Sequence, residues 1–75
     1  MYDFPNRLKH LRDINNLNRK EFSEITNISL STISRYESGK MIPTLETAML
    51  IAEKFNATID WLAGEGNLDD YKGVM

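Results

Sequence analysis

Between Asn18 and Gly39 the chain has room for two helices and almost nothing between them. Asn18 suits a helix N-cap, and Glu21, three residues on, completes a capping box. The helix this opens spans Arg19 to Thr26 and buries Phe22 and Ile25. After it come only Asn27, Ile28 and Ser29. Ser29 is itself a cap, and Gly39 stands where a helix wants a left-handed closing residue. A turn of three residues suits two helices that cross at a steep angle.

The stretch "ISLSTISRYESGK", residues 28–40, is built from poor helix formers. Serine and threonine hydroxyls compete for backbone groups and weaken a helix interior. On a helical wheel Leu30, Ser34, Ser38, Ser31 and Arg35 fall within an arc of about 140°. Ile33, Tyr36, Thr32 and Glu37 take the remainder. A merely solvated face is better served by Glu, Lys, Gln or Ala. Small hydroxyls let another surface approach the backbone and exchange hydrogen bonds with it. Arg35 adds a fork suited to guanine or phosphate, and Leu30 can meet a thymine methyl. Such a face suits a DNA major groove.

The rest of the chain supplies three more helices. Leu8, Leu11 and Ile14 define one from Phe4 to Asn15, with Pro5 in its first turn. Pro43 bars continuation past Gly39, and Thr44 caps a helix through Phe55 that turns Leu45, Ala48, Met49, Ile51, Ala52 and Phe55 inward. Thr58 caps a short fifth with Ile59, Trp61 and Leu62, ended by Gly64. No segment alternates as a half-buried strand does, so the fold class is all-α, a five-helix bundle in residues 1–64. Residues 65–75 read as a polar tail in which Asp69 and Asp70 add solubilising charge, while Tyr71, Val74 and Met75 can dock.

Seventy-five residues make one domain whose core is small enough to benefit from self-association. Trp61 serves either as a bundle anchor or at a dimer contact; with Ile59, Leu62 and Tyr71 it exceeds what so small a core needs, and these four are assigned to the dimer contact. The net charge of −2 is unevenly spread. Residues 1–40 hold seven Lys and Arg against five acids, and residues 41–75 hold two against six. One basic face and an acidic remainder fit that asymmetry.

Without cysteine there is neither a disulfide frame nor a thiolate. The N-terminus lacks a signal-peptide pattern and no apolar run reaches a membrane span, so a cytoplasmic protein is the default. His10 has no second ligand at metal-binding spacing. No nucleophile–base pair or phosphate-cradling glycine loop occurs, so neither enzyme activity, metal nor cofactor is expected.

The pieces "RLKHLRD", "LNRKEFSEITNISLSTISRYESGK", "IPTLETAMLIAEKF" and "IDWLAG" together resemble the lambda-repressor-like, Cro/cI-type helix-turn-helix domains, the XRE family, from Arg7 to Gly64. The resemblance implies that the third helix enters the major groove, with Leu30, Ser31, Ser34 and Arg35 at base edges. It places Asn18, Arg19, Thr32, Ser38 and Lys40 near phosphates and pairs Arg12 with Glu37 as a structural tie. It also implies a homodimeric transcriptional regulator, a repressor, on a pseudo-palindromic operator in double-stranded DNA. The alternative is a protein-interaction module, such as an antitoxin bound to its toxin or a target of an antagonist. Two positions depart from the family's habit of glutamine: Arg19, which retains phosphate-binding ability, and Leu30, which makes readout there apolar. Met41 replaces a frequently basic position, which predicts a shallow salt dependence.

Overall fold

The computed structural model describes residues 3–74. It contains α1 (Phe4–Ile14), α2 (Arg19–Thr26), α3 (Leu30–Glu37), α4 (Leu45–Phe55) and α5 (Ile59–Ala63), followed by a 3-10 turn at Leu68–Asp70. No strand occurs among the described residues.

Each boundary has a chemical cause. Asn18 Oδ1 accepts from the Glu21 amide at 2.8 Å, and Glu21 Oε1 accepts from the Asn18 amide at 2.9 Å. Ser29, Thr44 and Thr58 cap α3, α4 and α5 through their hydroxyls. Asn16 (φ 58°) ends α1 and Gly39 (φ 78°) ends α3 in the left-handed region. In each case the following amide reaches back to the helix: Leu17 to the Arg12 carbonyl at 3.0 Å and Lys40 to the Arg35 carbonyl at 2.9 Å. These are Schellman closures, which satisfy carbonyls that the helix end leaves open.

The turn between α2 and α3 is equally well satisfied. Asn27 takes φ 62°, which an asparagine tolerates. Thr26 Oγ1 donates to the Phe22 carbonyl at 2.8 Å and accepts from the Ile28 amide at 3.3 Å. The Ser23 hydroxyl donates to the Ile28 carbonyl. With its backbone groups so engaged, the turn holds α2 and α3 at a set angle rather than acting as a hinge.

α1 packs on both α3 and α5, and α2 packs on α3 and α4. The core they enclose contains Phe4, Leu8, Leu11, Phe22, Ile33, Tyr36, Ile51, Phe55 and Leu62. Phe22 stacks on Phe55 with ring centroids 5.1 Å apart, and Phe4 meets Tyr36 edge-on at 5.4 Å. Ile33 and Tyr36 are thus the anchors that leave the opposite face of α3 outward.

The polar tail expected from Glu65 onward is instead part of the packed unit. Tyr71 is buried, its hydroxyl donating to the Phe55 carbonyl at 2.6 Å and accepting from Asn15 Nδ2 at 2.9 Å. Asn15 Oδ1 accepts the Val74 amide at 2.8 Å. Trp61 Nε1 donates to the Asn67 carbonyl at 2.9 Å, and its ring lies 4.9 Å from that of Tyr71. Asp70 is held in the 3-10 turn, accepting from the Asn67 amide at 2.9 Å, rather than carried as mobile charge. The docking expected of Met75 lies outside the described residues.

Candidate nucleic-acid interface

α3 presents two chemically distinct faces. Leu30, Ser31, Arg35 and Ser38 are exposed, Ser34 is half-buried, and Lys40 is exposed just beyond the closing turn. Leu30 keeps 47% of its surface open. Thr32 is half-buried and engaged locally: its amide donates to Ser29 Oγ at 3.1 Å, and its hydroxyl accepts from Ser29 Oγ at 2.9 Å. Ser38 Oγ donates to the Arg35 carbonyl at 3.2 Å. Asn18 is exposed, with its Oδ1 engaged in capping α2.

Behind this surface lies a charged anchor. Arg12 and Glu37 form a two-pronged pair, Nε to Oε2 at 2.8 Å and Nη2 to Oε1 at 3.0 Å. The remaining Arg12 nitrogen, Nη1, donates to the Leu17 carbonyl at 3.0 Å. Arg19 joins the same carboxylate, Nε to Oε1 at 3.1 Å. Glu37 therefore serves two arginines, one buried on α1 and one half-exposed at the start of α2. Burial is the strongest influence on the Glu37 carboxyl and pushes it up. The hydrogen bonds and charges of both arginines outweigh it and hold the group below the usual glutamate range. The Arg12 guanidinium is correspondingly raised, chiefly by its hydrogen bond to Glu37.

The positive charge of residues 1–40 is redistributed by burial. Arg7 and Arg12 are buried, so the exposed cations on the α2–α3 side are Arg19, Lys20, Arg35 and Lys40. Arg7 works elsewhere. Its Nη1 donates to the carbonyls of Trp61 and Glu65, at 3.2 and 3.0 Å, and its Nη2 to those of Gly64 and Gly66, at 3.2 and 2.8 Å. Its Nε pairs with Asp3 at 2.9 Å, and the guanidinium lies 5.2 Å from the centroid of the Trp61 ring. The signal for this was the spacing of Arg7 with Leu11 and Ile14, which puts it on the buried stripe of α1.

Three of the four residues expected at a dimer contact belong to the core. Trp61 and Tyr71 each retain 5% of their surface and Leu62 none, all three lying within the core cluster. Ile59 is half-buried. Leu45 and Met49, expected to face inward, are instead 64% and 48% exposed, because α4 turns only Ala48, Ile51, Ala52 and Phe55 to the core; with Ile42, 71% exposed just before the helix, they leave apolar surface open along its flank. A shallow groove lined by Met49, Ala52, Ala57 and Ile59 continues it. His10 is half-buried beside Trp61, and no group of three or more His, Cys, Asp or Glu gathers at metal-binding distance among the described residues.

Two capped eight-residue helices joined by a satisfied three-residue turn, the second showing an unpacked polar face, make this a helix-turn-helix domain. The helix-turn-helix family matches residues 8–62, and the chain belongs to it, as an XRE-type member. The chain is 38% identical over 64 residues to the HTH-type transcriptional activator BcrR of Enterococcus faecalis, covering 84% of this chain and 31% of BcrR. It is 32% identical over 69 residues to the cryptic phage CTXphi transcriptional repressor RstR of Vibrio cholerae, covering 92% and 62%. It is 33% identical over 69 residues to the antitoxin PezA of Streptococcus pneumoniae, covering 87% and 44%. The chain thus spans between about a third and three-fifths of the length of these relatives. No solved structure gives a significant match. No helix among the described residues is long and apolar enough to cross a membrane.

Proposed function

We propose that this chain binds double-stranded DNA in a sequence-specific way, as a homodimer that regulates transcription by repression. The observation that carries this reading is the outward face of α3, where Leu30, Ser31, Ser34 and Arg35 stand opposite the buried Ile33 and Tyr36. In this reading Arg35 donates to guanine O6 and N7, or to a neighbouring acceptor, and Ser31 and Ser34 exchange hydrogen bonds with base edges. Leu30 meets a thymine methyl. Asn18, Arg19, Thr32, Ser38 and Lys40 lie along the backbone and fix the register without reading sequence. The relatives include a repressor matching 92% of this chain and an activator matching 84%, and repression is the sign proposed here.

Self-association would use the flank of α4, with Ile42, Leu45 and Met49 meeting a second copy beside Ile59. This stripe begins two residues after Lys40, close to the end of α3. A two-fold contact there would bring both α3 helices to one side of a duplex, about 34 Å apart on successive turns. The second reading is a protein partner at the same stripe, favoured by its extent and by the antitoxin relative.

In-vitro selection from a random duplex library tests the proposal. The expected product is a pair of related half-sites with centres one helical turn apart. Absence of any enriched sequence, with the protein folded, refutes DNA reading and leaves the protein partner.

A further inference from the structure

We propose that Glu37, buried under α3, is a positioning residue for the DNA backbone, acting through Arg19. The inference rests on the DNA-binding reading above. Glu37 Oε1 receives two N–H donors at once, Arg12 Nη2 at 3.0 Å and Arg19 Nε at 3.1 Å. The Glu37 side chain is 2% exposed and is locked from behind by Arg12, whereas that of Arg19 is 49% exposed. A buried acceptor therefore grips an exposed donor. The grip uses Nε alone, and no hydrogen bond among the described residues takes Arg19 Nη1 or Nη2. Those two groups form the fork that matches a phosphate.

Arg19 is the first residue of α2, next to its Asn18 cap. An arginine free at that position would sample many rotamers and lose them on binding, a cost that is large for so long a side chain. Tethering the Nε to Glu37 removes part of that loss before DNA arrives. The carboxylate that ties α3 to α1 thus also aims a cation at the edge of the surface α3 presents. Lysine cannot replace Arg19 here, because a single ammonium cannot hold Glu37 and present a fork at once.

Binding to a fixed 20-base-pair duplex of mixed sequence, across a range of salt, reads this out independently of base recognition. Arg19→Gln, which removes the charge, should lower the salt slope by about one phosphate equivalent. Arg19→Lys, which keeps the charge, should still bind about twofold to fivefold more weakly than the natural protein, the scale of an exposed ion pair. Both variants alter an exposed side chain and should melt as the natural protein does.

Glu37→Gln is then compared in the natural and Arg19→Gln backgrounds, below the melting range of each. It should weaken binding in the first and leave it unchanged in the second. A purely structural Glu37 would instead give equal losses in both. Equal losses overturn the inference, and so does an Arg19→Lys protein that binds like the natural one, a test that stands even where Glu37→Gln fails to fold. If the natural protein binds no duplex at low salt, the DNA-binding reading falls first and takes this inference with it.

Discussion

Arg7 and Arg12 sit on the same helix, both buried, and they are satisfied in opposite ways. Arg12 meets a buried carboxylate from another helix, shared in turn with Arg19. Arg7 meets four backbone carbonyls at residues 61–66 and one partly exposed aspartate. One arginine therefore fixes the orientation of α3, and the other staples the C-terminal segment over the core. The difference teaches that a buried cation can act as a joint between helices or as a cap for a turn, and that its partners decide which.

The comparison breaks most visibly when either arginine is removed. Arg12→Ala leaves Glu37 buried with only Arg19, a loss of about 3–5 kcal/mol of the kind seen when one partner of a buried pair is deleted. A domain of this size has total stability of roughly 4–11 kcal/mol, so the variant should be largely unfolded or melt far below the natural protein. Arg7→Ala should cost less, about 1–3 kcal/mol, because it leaves neutral carbonyls and a partly exposed aspartate unpaired rather than a buried carboxylate. Its signature is local: amide exchange should accelerate at residues 64–71 while α2 and α3 stay protected. Equal destabilisation by the two variants would erase the distinction.

Acid sharpens the same contrast. Asp3 is held below the usual aspartate range, first by the hydrogen bond from Arg7, and Glu37 is held low by its two arginines despite burial. A carboxyl with a depressed folded pKa contributes stability that is fully present above its unfolded value, about 3.9 or 4.3 here, and fades as pH falls through the lower folded value. Stability should thus be flat near neutrality and fall below about pH 4. Asp3→Asn should preserve most of that acid limb, because the buried Glu37 pair carries it. A variant whose melting no longer depends on acid would shift the burden to Asp3. Smaller still is Tyr71→Phe, which forfeits the bond to the Phe55 carbonyl and should cost about 1–2 kcal/mol in chemical denaturation.

The two arginines also mark what could be read before the fold was known. Helix boundaries were legible because Asn18, Ser29, Thr44, Thr58 and Gly39 act on their own neighbours, within three or four residues. The two faces of α3 followed from periodicity alone. Arg12 has a charged partner that a family pattern can point to. Arg7 has mostly carbonyls, which every residue carries, so no pattern of side chains announces them. The partners that dock residues 65–74 were hidden for the same reason: Tyr71, Trp61 and the Val74 amide bind the Phe55 carbonyl, the Asn67 carbonyl and Asn15. Tyr71 was legible as a docking residue and Trp61 as a bundle anchor, but both, with Leu62, are too buried within one copy to offer the surface that the dimer contact also assigned to them needs.

The central claim is that the outer face of α3 reads DNA while its inner face holds the fold. Arg35→Ala tests it most directly, by thermal melting and by binding to the selected site and to a copy with one half-site base changed. The account predicts a melting temperature within about 4 °C of the natural protein, since exposed surface changes fall within about 0.5 kcal/mol. It also predicts a loss of about 1–3 kcal/mol in discrimination at one base position. Undiminished discrimination, or a loss that appears only together with unfolding, would contradict it.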